Sequence, residues 1–492
     1  MKKFLSFILA FFVILTLEAQ YVTPDTGVNW SMDDLVSHSN GVVTGSSGNY
    51  VIHSDLTISS NDTLTFLTGD CEIFCEQDVL ITVQGVFLSF LEDLSGNTIT
   101  FKGDEDYFKG FLFDGSNGSV MRNVVVNFAG GIKLIESDVY FRNCIFEGFN
   151  TENCTGAVDI FKSDPEFHLC SFVSNDGPAI KSAANAESAP LIDSCFIEYN
   201  VMTNVNMPQV NLGTTPPDDT IVISNCLIAG LPGNNMVGGI AVSTLAGGVL
   251  NAIIENTHVV ECRYGIAVYG NNIFTLIRGN TLRYNTDSDP MQGGSGISYW
   301  GNETNVSVVS NNIIRDNLWG ITILNKAKPS LGEVGNEESP GGNEIYDNGN
   351  GGQIYDVYNN TPDDIKAENN YWGTESADSI EAHIYHHADD DALGEVDYIP
   401  FLTAESVLDK IQHNIGLKLY PVPAHESVTV SFREEGLKKI MVYTTGGVKV
   451  KALTSSEKNI LMDVSDLKNG VYIISVEKEH ERIISHKMIV QH

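Results

Sequence analysis

The sequence predicts an all-β protein, a long parallel solenoid followed by a small β-sandwich. Three observations carry this expectation. First, one phrase recurs: Cys, Thr or Asn, any residue, an apolar residue, two free positions, and often Asn. It reads Cys144-Ile145-Phe146, Cys170-Ser171-Phe172, Cys195-Phe196-Ile197, Cys226-Leu227-Ile228, Thr257-His258-Val259, Asn280-Thr281-Leu282, Asn312-Ile313-Ile314 and Asn343-Glu344-Ile345, with a partial copy at Asn370-Tyr371-Trp372. The spacings are 26, 25, 31, 31, 23, 32, 31 and 27 residues, and a period of that length means stacked units. Second, the surrounding segments are rich in Val, Ile and Thr, with no long helical period. Third, the repeat stops before residue 415, and short alternating strands broken by Gly and Asn follow.

The first and third positions of the phrase are alternate residues, so in a strand they share a side. They are mostly small or apolar, and that side is inward. The second position is mixed (Ile145, Ser171, His258, Thr281, Glu344) and faces out. Further strands follow in several coils, as in 265–268, 296–299 and 320–323. Stacked coils lie about 4.8 Å apart, so like residues form columns. The sixth position is Asn at Asn175, Asn200, Asn285, Asn317 and Asn348. Asn tolerates left-handed backbone and its amide can satisfy turn groups, so this column reads as an asparagine ladder at a corner.

The pattern resembles the right-handed parallel β-helix superfamily, whose coils often read Cys-x-Phe-x-x-Asn or Asn-x-Ile-x-x-Asn. The closing stretch Glu368-Asn369-Asn370-Tyr371-Trp372-Gly373, followed by 394–400, also looks like the end of such helices. The resemblance covers roughly residues 50–402 and implies the fold; the architecture hosts many activities.

The ends read as export signals. Lys2-Lys3, an apolar run over 4–17 and Leu17-Glu18-Ala19-Gln20 form a secretory signal peptide over 1–20. That run is short for a membrane span, and no later run approaches one, so no transmembrane segment is expected in the mature chain. Residues 415–492 hold 11 Lys and Arg against 9 Asp and Glu, while the preceding 414 hold 17 against 54. The series Leu419-Tyr420-Pro421-Val422-Pro423, 440–447, 463–472 and Lys487-Met488-Ile489-Val490 resembles the C-terminal sorting domain of type IX secretion cargo in Bacteroidota. There the first motif is usually Pro-Asn-Pro; here Val422 replaces the Asn. The resemblance implies recognition by the type IX machinery and passage across the outer membrane. Removal of the domain, then release or surface attachment, would follow. The alternative is a carbohydrate-binding appendage. The expected organisation is signal peptide 1–20, solenoid cap 21–50, β-helix 51–402, linker 403–414 and sorting domain 415–492. Within the cap, Ser31-Met32-Asp33-Asp34-Leu35-Val36 predicts a capped helix covering the open first coil.

A net charge of −35 argues against nucleic acid as a partner. Eight Cys in an exported chain invite a disulfide reading. The register opposes it: Cys144, Cys170, Cys195 and Cys226 share one inward column, where side chains point the same way. Cys71 and Cys75 would lie about 13 Å apart in a strand. Free buried thiols are expected.

Several motifs fail as catalytic signatures. Asn285-Thr286-Asp287 matches one signature of the polygalacturonases, but Asn285 is a ladder residue and that family's other motifs are missing. His383, His386 and His387 with Asp389-Asp390-Asp391 could hold calcium; an ordinary acidic closing loop is the favoured reading, and no cofactor is implied. The outward columns are better candidates. Position five carries Glu261, Tyr284, Asp316 and Asp347; position four carries Arg283, Arg315 and Tyr346. Insertions 201–207, 232–238 and 286–295 leave the same edge and would wall a groove, the last adding Asp287 and Asp289, with Trp300 just beyond. Aromatic faces cover sugar rings, and Arg and carboxylates bind hydroxyls or uronate groups. Carboxylates one and two coils apart would be about 5 and 10 Å apart, near glycosidase spacings. Asp316, Asp347 and Glu261 are therefore the catalytic candidates; Arg283, Tyr284, Arg315, Tyr346, Asp287 and Trp300 the substrate-binding ones. The expectation is a secreted or surface protein that binds or degrades an extracellular polysaccharide, as a lyase or glycoside hydrolase if it is an enzyme. The alternative is a non-catalytic adhesive solenoid, in which such Arg–carboxylate pairs are solvated and contribute little.

Overall fold

In the computed structural model, consecutive strands are dealt in turn to three long sheets. The structure describes residues 20–67, 69–89, 97–104, 107–404, 417–432, 438–444, 448–478 and 481–492. The proposed signal peptide, up to residue 19, and residues 405–416 of the linker and its C-terminal flank lie outside the described residues. Among those described, the sheets contain fourteen, thirteen and twelve strands. One coil contributes Val124–Asn127 to the thirteen-strand sheet, Ile132–Ile135 to the fourteen-strand sheet and Tyr140–Arg142 to the twelve-strand sheet. The next coil repeats the sequence in parallel register, as in Val125↔Ile145 and Val126↔Phe146. This is a right-handed parallel β-helix. Pairing already starts at Tyr21, whose strand lies against Leu56, inside the segment assigned to the cap.

The repeated phrase is the strand of the thirteen-strand sheet. Its first and third residues are buried, among them Cys144, Phe146, Cys170, Phe172, Cys195, Ile197, Cys226 and Ile228. Stacking gives like-on-like aromatic contacts: the rings of Phe146 and Phe172 lie 4.9 Å apart, and those of Phe141 and Phe167 4.8 Å. The eight cysteines are free and buried. Burial pushes the Cys262 and Cys154 thiols up to about 12.

Two corner conformations bracket most copies of the phrase. The residue before it is left-handed in coil after coil: Asn123, Asn143, Leu169, Ser194, Asn225, Asn256, Gly279 and Asn311 all have φ between 49° and 66°. So is the fifth position in Tyr199, Glu261, Tyr284, Asp316 and Asp347, with φ between 56° and 58°. This second corner explains a phase problem. By strict alternation the fifth residue would point inward. The left-handed turn points it outward instead and brings the sixth inward.

The sixth position then forms the expected ladder. Asn285 Nδ2 donates to Asn317 Oδ1 at 2.9 Å, and Asn317 Nδ2 to Asn348 Oδ1 at 3.0 Å. Asn175 Nδ2 donates to Asn200 Oδ1 at 2.7 Å. Where coil 226 carries Leu231 instead, Gln209 fills the gap, accepting from Asn200 Nδ2 and donating to the Ala229 carbonyl at 2.7 Å. A second ladder, unforeseen, occupies the first position: Asn280, Asn312, Asn343 and Asn370 are joined by Nδ2–Oδ1 bonds of 2.9 Å. Replacing inward cysteine by asparagine thus exchanges an apolar column for a hydrogen-bonded one.

Both ends are covered. The helix Met32–His38 is held by a capping box between Ser31 and Asp34, and buries Met32 and Leu35 over the first coil. At the far end Ile380, Trp372 and Tyr398 close the core. The C-terminal domain is a two-sheet sandwich. Leu417–Tyr420, Ser427–Phe432 and Asn459–Asp463 form one sheet; Lys438–Thr444, Lys449–Ser455, Gly470–Lys478 and Glu481–Val490 form the other. It has its own apolar core, including Val428, Val430, Ile440, Val442, Ile474 and Met488.

Asn317→Leu removes two donated and two accepted ladder bonds. The expected loss is roughly 2–5 kcal/mol in urea unfolding; a change below about 0.5 kcal/mol would show that the ladder is not a stabilising element. A thiol reagent at pH 8 is expected to leave the native protein unlabelled and to modify all eight cysteines in guanidinium; missing thiols in the denatured chain would reveal disulfides.

Candidate functional site

Arg283 and Arg315 are paired across adjacent coils in the register Val260↔Arg283↔Arg315↔Tyr346. Strand alternation points all four outward from the thirteen-strand sheet. The left-handed corner sets Tyr284 and Asp316 beside them. Both guanidiniums converge on one carboxylate: Arg283 Nη2 and Nε donate to Asp316 Oδ2 at 2.7 and 3.1 Å, and Arg315 Nε lies 3.7 Å from it. Arg283 also lies 4.7 Å above the Tyr284 ring and donates to its hydroxyl at 2.7 Å. Arg315 lies 5.3 Å from the Tyr346 ring. Tyr346 packs edge-on against Tyr371 at 5.7 Å, and its burial raises the phenol above its ordinary range. The result is a half-buried cluster of two cations, two aromatic rings and one carboxylate.

The remaining candidates separate. Glu261 and Asp347 are exposed at the same corner, Glu261 two coils before Asp316 and Asp347 one coil after. Their left-handed φ recurs through the stack, so it is a requirement of the corner and not a mark of catalysis. Asp287 is spent on the wall, its Oδ2 accepting from Gly233 N at 2.9 Å. Trp300 does not share the face: it pairs with Tyr269 and Leu324 in the fourteen-strand sheet, beyond the corner. Sequence proximity to the loop 286–295 had suggested otherwise, but the turn between sheets intervenes.

The insertions do form a continuous wall. Asn204 Nδ2 donates to Asn235 Oδ1 at 3.3 Å, and Asn204 Oδ1 accepts from Met236 N at 3.0 Å. Arg263 staples two of the loops, donating from Nη1 to Asn206 Oδ1 and from Nε to the Gln292 carbonyl at 3.0 Å. Another concave surface, a shallow groove over Phe274 and Val306 on the twelve-strand sheet, has no titratable side chain in its lining.

The histidine-rich closing segment does not converge. His383 Nδ1 meets Asp356 Oδ2 at 3.2 Å, His386 Nε2 meets Glu381 at 3.0 Å, and His387 Nδ1 faces the Leu393 carbonyl at 3.0 Å. Asp389 and Asp390 accept from nearby backbone amides. Among the described residues no three His, Cys, Asp or Glu side chains form a metal-binding group.

One residue gains significance only in the structure. Glu198 stands in the same outward column as Arg283, three coils earlier, yet is buried. Burial pushes its carboxyl up to about 7. The column identified it as outward; what covers it was not legible in the sequence.

Residues 418–491 match the secretion system C-terminal sorting domain family. The chain therefore carries a type IX sorting signal, which directs a protein to secretion or cell-surface attachment. Among the described residues no helix is long and apolar enough to cross a membrane. The chain is similar to the crystal structure of the periplasmic alginate epimerase AlgG at 12% identity and TM-score 0.39, over 76% of this chain and 84% of that one. A single-residue mutant of AlgG gives 10% and 0.38 over the same shares. No curated protein matches the chain.

The folded chain holds the Glu198 proton more tightly than the unfolded chain. Stability contributed at this position is therefore highest below the ordinary Glu range, falls as pH rises toward about 7, and levels off above it. Glu198→Gln is expected to leave unfolding unchanged near pH 4 and to stabilise the protein by roughly 3 kcal/mol at pH 8. Parallel stability profiles for the two proteins would remove the assignment.

Proposed function

We propose that this exported β-helix binds an acidic extracellular polysaccharide along the outward face of coils 257 to 343, without turning it over. The observation that carries this reading is the convergence of Arg283 and Arg315 on Asp316 while each guanidinium lies against a tyrosine. Guanidiniums match carboxylate geometry, and tyrosine rings cover the apolar faces of sugars. The coil rise of about 4.8 Å is close to the length of one pyranose unit, so adjacent coils can meet successive residues of a chain. Asp316, held by two cations, is poorly placed as a free base and well placed to fix the arginines. The net charge of −35 does not oppose local binding of an anion, because charges beyond about 8 Å are largely screened at physiological salt.

Affinity electrophoresis or calorimetry on uronate-rich and neutral glycans tests the reading, alongside reducing-end and unsaturated-uronate assays. Binding to an acidic glycan, weakened by salt and without product, is expected. Arg283→Ala with Arg315→Ala should reduce affinity at least about tenfold. Asp316→Asn should preserve or strengthen binding, since it removes a carboxylate that competes for the same guanidiniums. Product formation abolished by Asp316→Asn would instead make the site catalytic. If no glycan binds, the adhesive solenoid is the surviving reading.

A further inference from the structure

We infer that the C-terminal sorting domain docks back onto the solenoid through a dedicated apolar surface, centred on Leu169 and Phe196. The argument begins with an exception to a column. The residue before each repeated phrase is left-handed, and at Asn123, Asn143, Ser194, Asn225, Asn256, Gly279 and Asn311 it is Asn, Ser or Gly. These types tolerate that conformation. In one coil it is Leu169, at φ 54°, a conformation that strains a side chain of this kind. Leu169 nevertheless sits at a corner and is 5% exposed. Its cluster partners are not in the solenoid: they are Met441 and Tyr443 of the sorting domain.

A second exception lies beside it. Phe196 occupies the outward second position of its phrase, paired with Ser171 and Leu227. Its ring lies 6.2 Å from that of Tyr443. On the sorting domain, the strand Lys438–Thr444 is buried on both sides. Ile440 and Val442 enter the domain's own core. Met441 and Tyr443 point the other way, yet are buried, as are Ser475 and Ile473 opposite them on the neighbouring strand. The outer face of a small sandwich standing alone would be solvated. Outward positions of the solenoid adjoining Phe196, namely Ser171, Glu198 and Ala229, are buried as well. Two surfaces that alternation makes external are thus both withdrawn from water, and their apolar members touch.

The consequence is positional. The docking patch lies in the same sheet face as Arg283 and Arg315, a few coils earlier. While attached, the sorting domain covers the middle of this face, just before the candidate glycan surface; its removal uncovers an apolar strip that runs into that surface.

The test uses the full chain with a specific protease sequence placed between residues 405 and 416. After cleavage at low micromolar concentration, the two parts should co-elute on gel filtration. Leu169→Asn with Phe196→Thr should weaken that association by roughly tenfold or more, while the melting temperature of the solenoid stays the same or rises because Asn relieves the strained corner. Tyr443→Ser, on the other partner, should release the domain with no change in the solenoid at all. Separation of the two parts in the unmutated protein overturns the inference, as does continued co-elution in the Tyr443 variant.

Discussion

The structure depends on parallel pairing between successive coils in unbroken register. Each coil leaves its strand edges to be satisfied by the next, so no coil is stable alone. The register is enforced at the corners. Left-handed residues on both sides of the repeated phrase end the strand at fixed points, and the asparagine ladders tie each corner to its neighbours through side-chain amides. A slip by one residue would turn an inward Cys, Asn, Phe or Ile outward and break a buried ladder, so the corner chemistry and the core pattern defend the same alignment.

That constraint creates the outward columns and limits what they can do. Because register is fixed, Arg283 and Arg315 stand one coil apart and share one carboxylate. Glu261 and Asp347 are set at the same corner by the backbone that stacks it. The face is ordered by the fold itself, which suits the periodic binding surface proposed above. Its carboxylate is committed to organising cations, which favours recognition over proton transfer.

Much of the fold was legible because solenoid sequence and structure share a period. The phrase gave strand, inward side, cysteine column and corner ladder, since each follows from alternation and stacking. The second ladder at Asn280, Asn312, Asn343 and Asn370 is written in the same phrase, but an inward position shared by Cys, Thr and Asn does not by itself distinguish an apolar column from a hydrogen-bonded one. The grouping of Trp300 with Arg283 failed because proximity in sequence does not reveal which side of a corner a residue occupies. The burial of Glu198 and Leu169 could not be read from the repeat, which describes how one coil meets the next and not how another domain meets the stack.

The sequence by itself determined the β-helix, the inward cysteine column, the export tail and the identity of the outward columns. These are local or nearest-neighbour properties, set by side-chain period, backbone tolerance of left-handed turns and composition. Only the tertiary structure decided that two arginines share Asp316, that Asp287 belongs to the wall, and that the sorting domain lies against Leu169 and Phe196. Those arrangements depend on side-chain direction and on contacts between segments far apart in the chain, for which the repeat carries no signal.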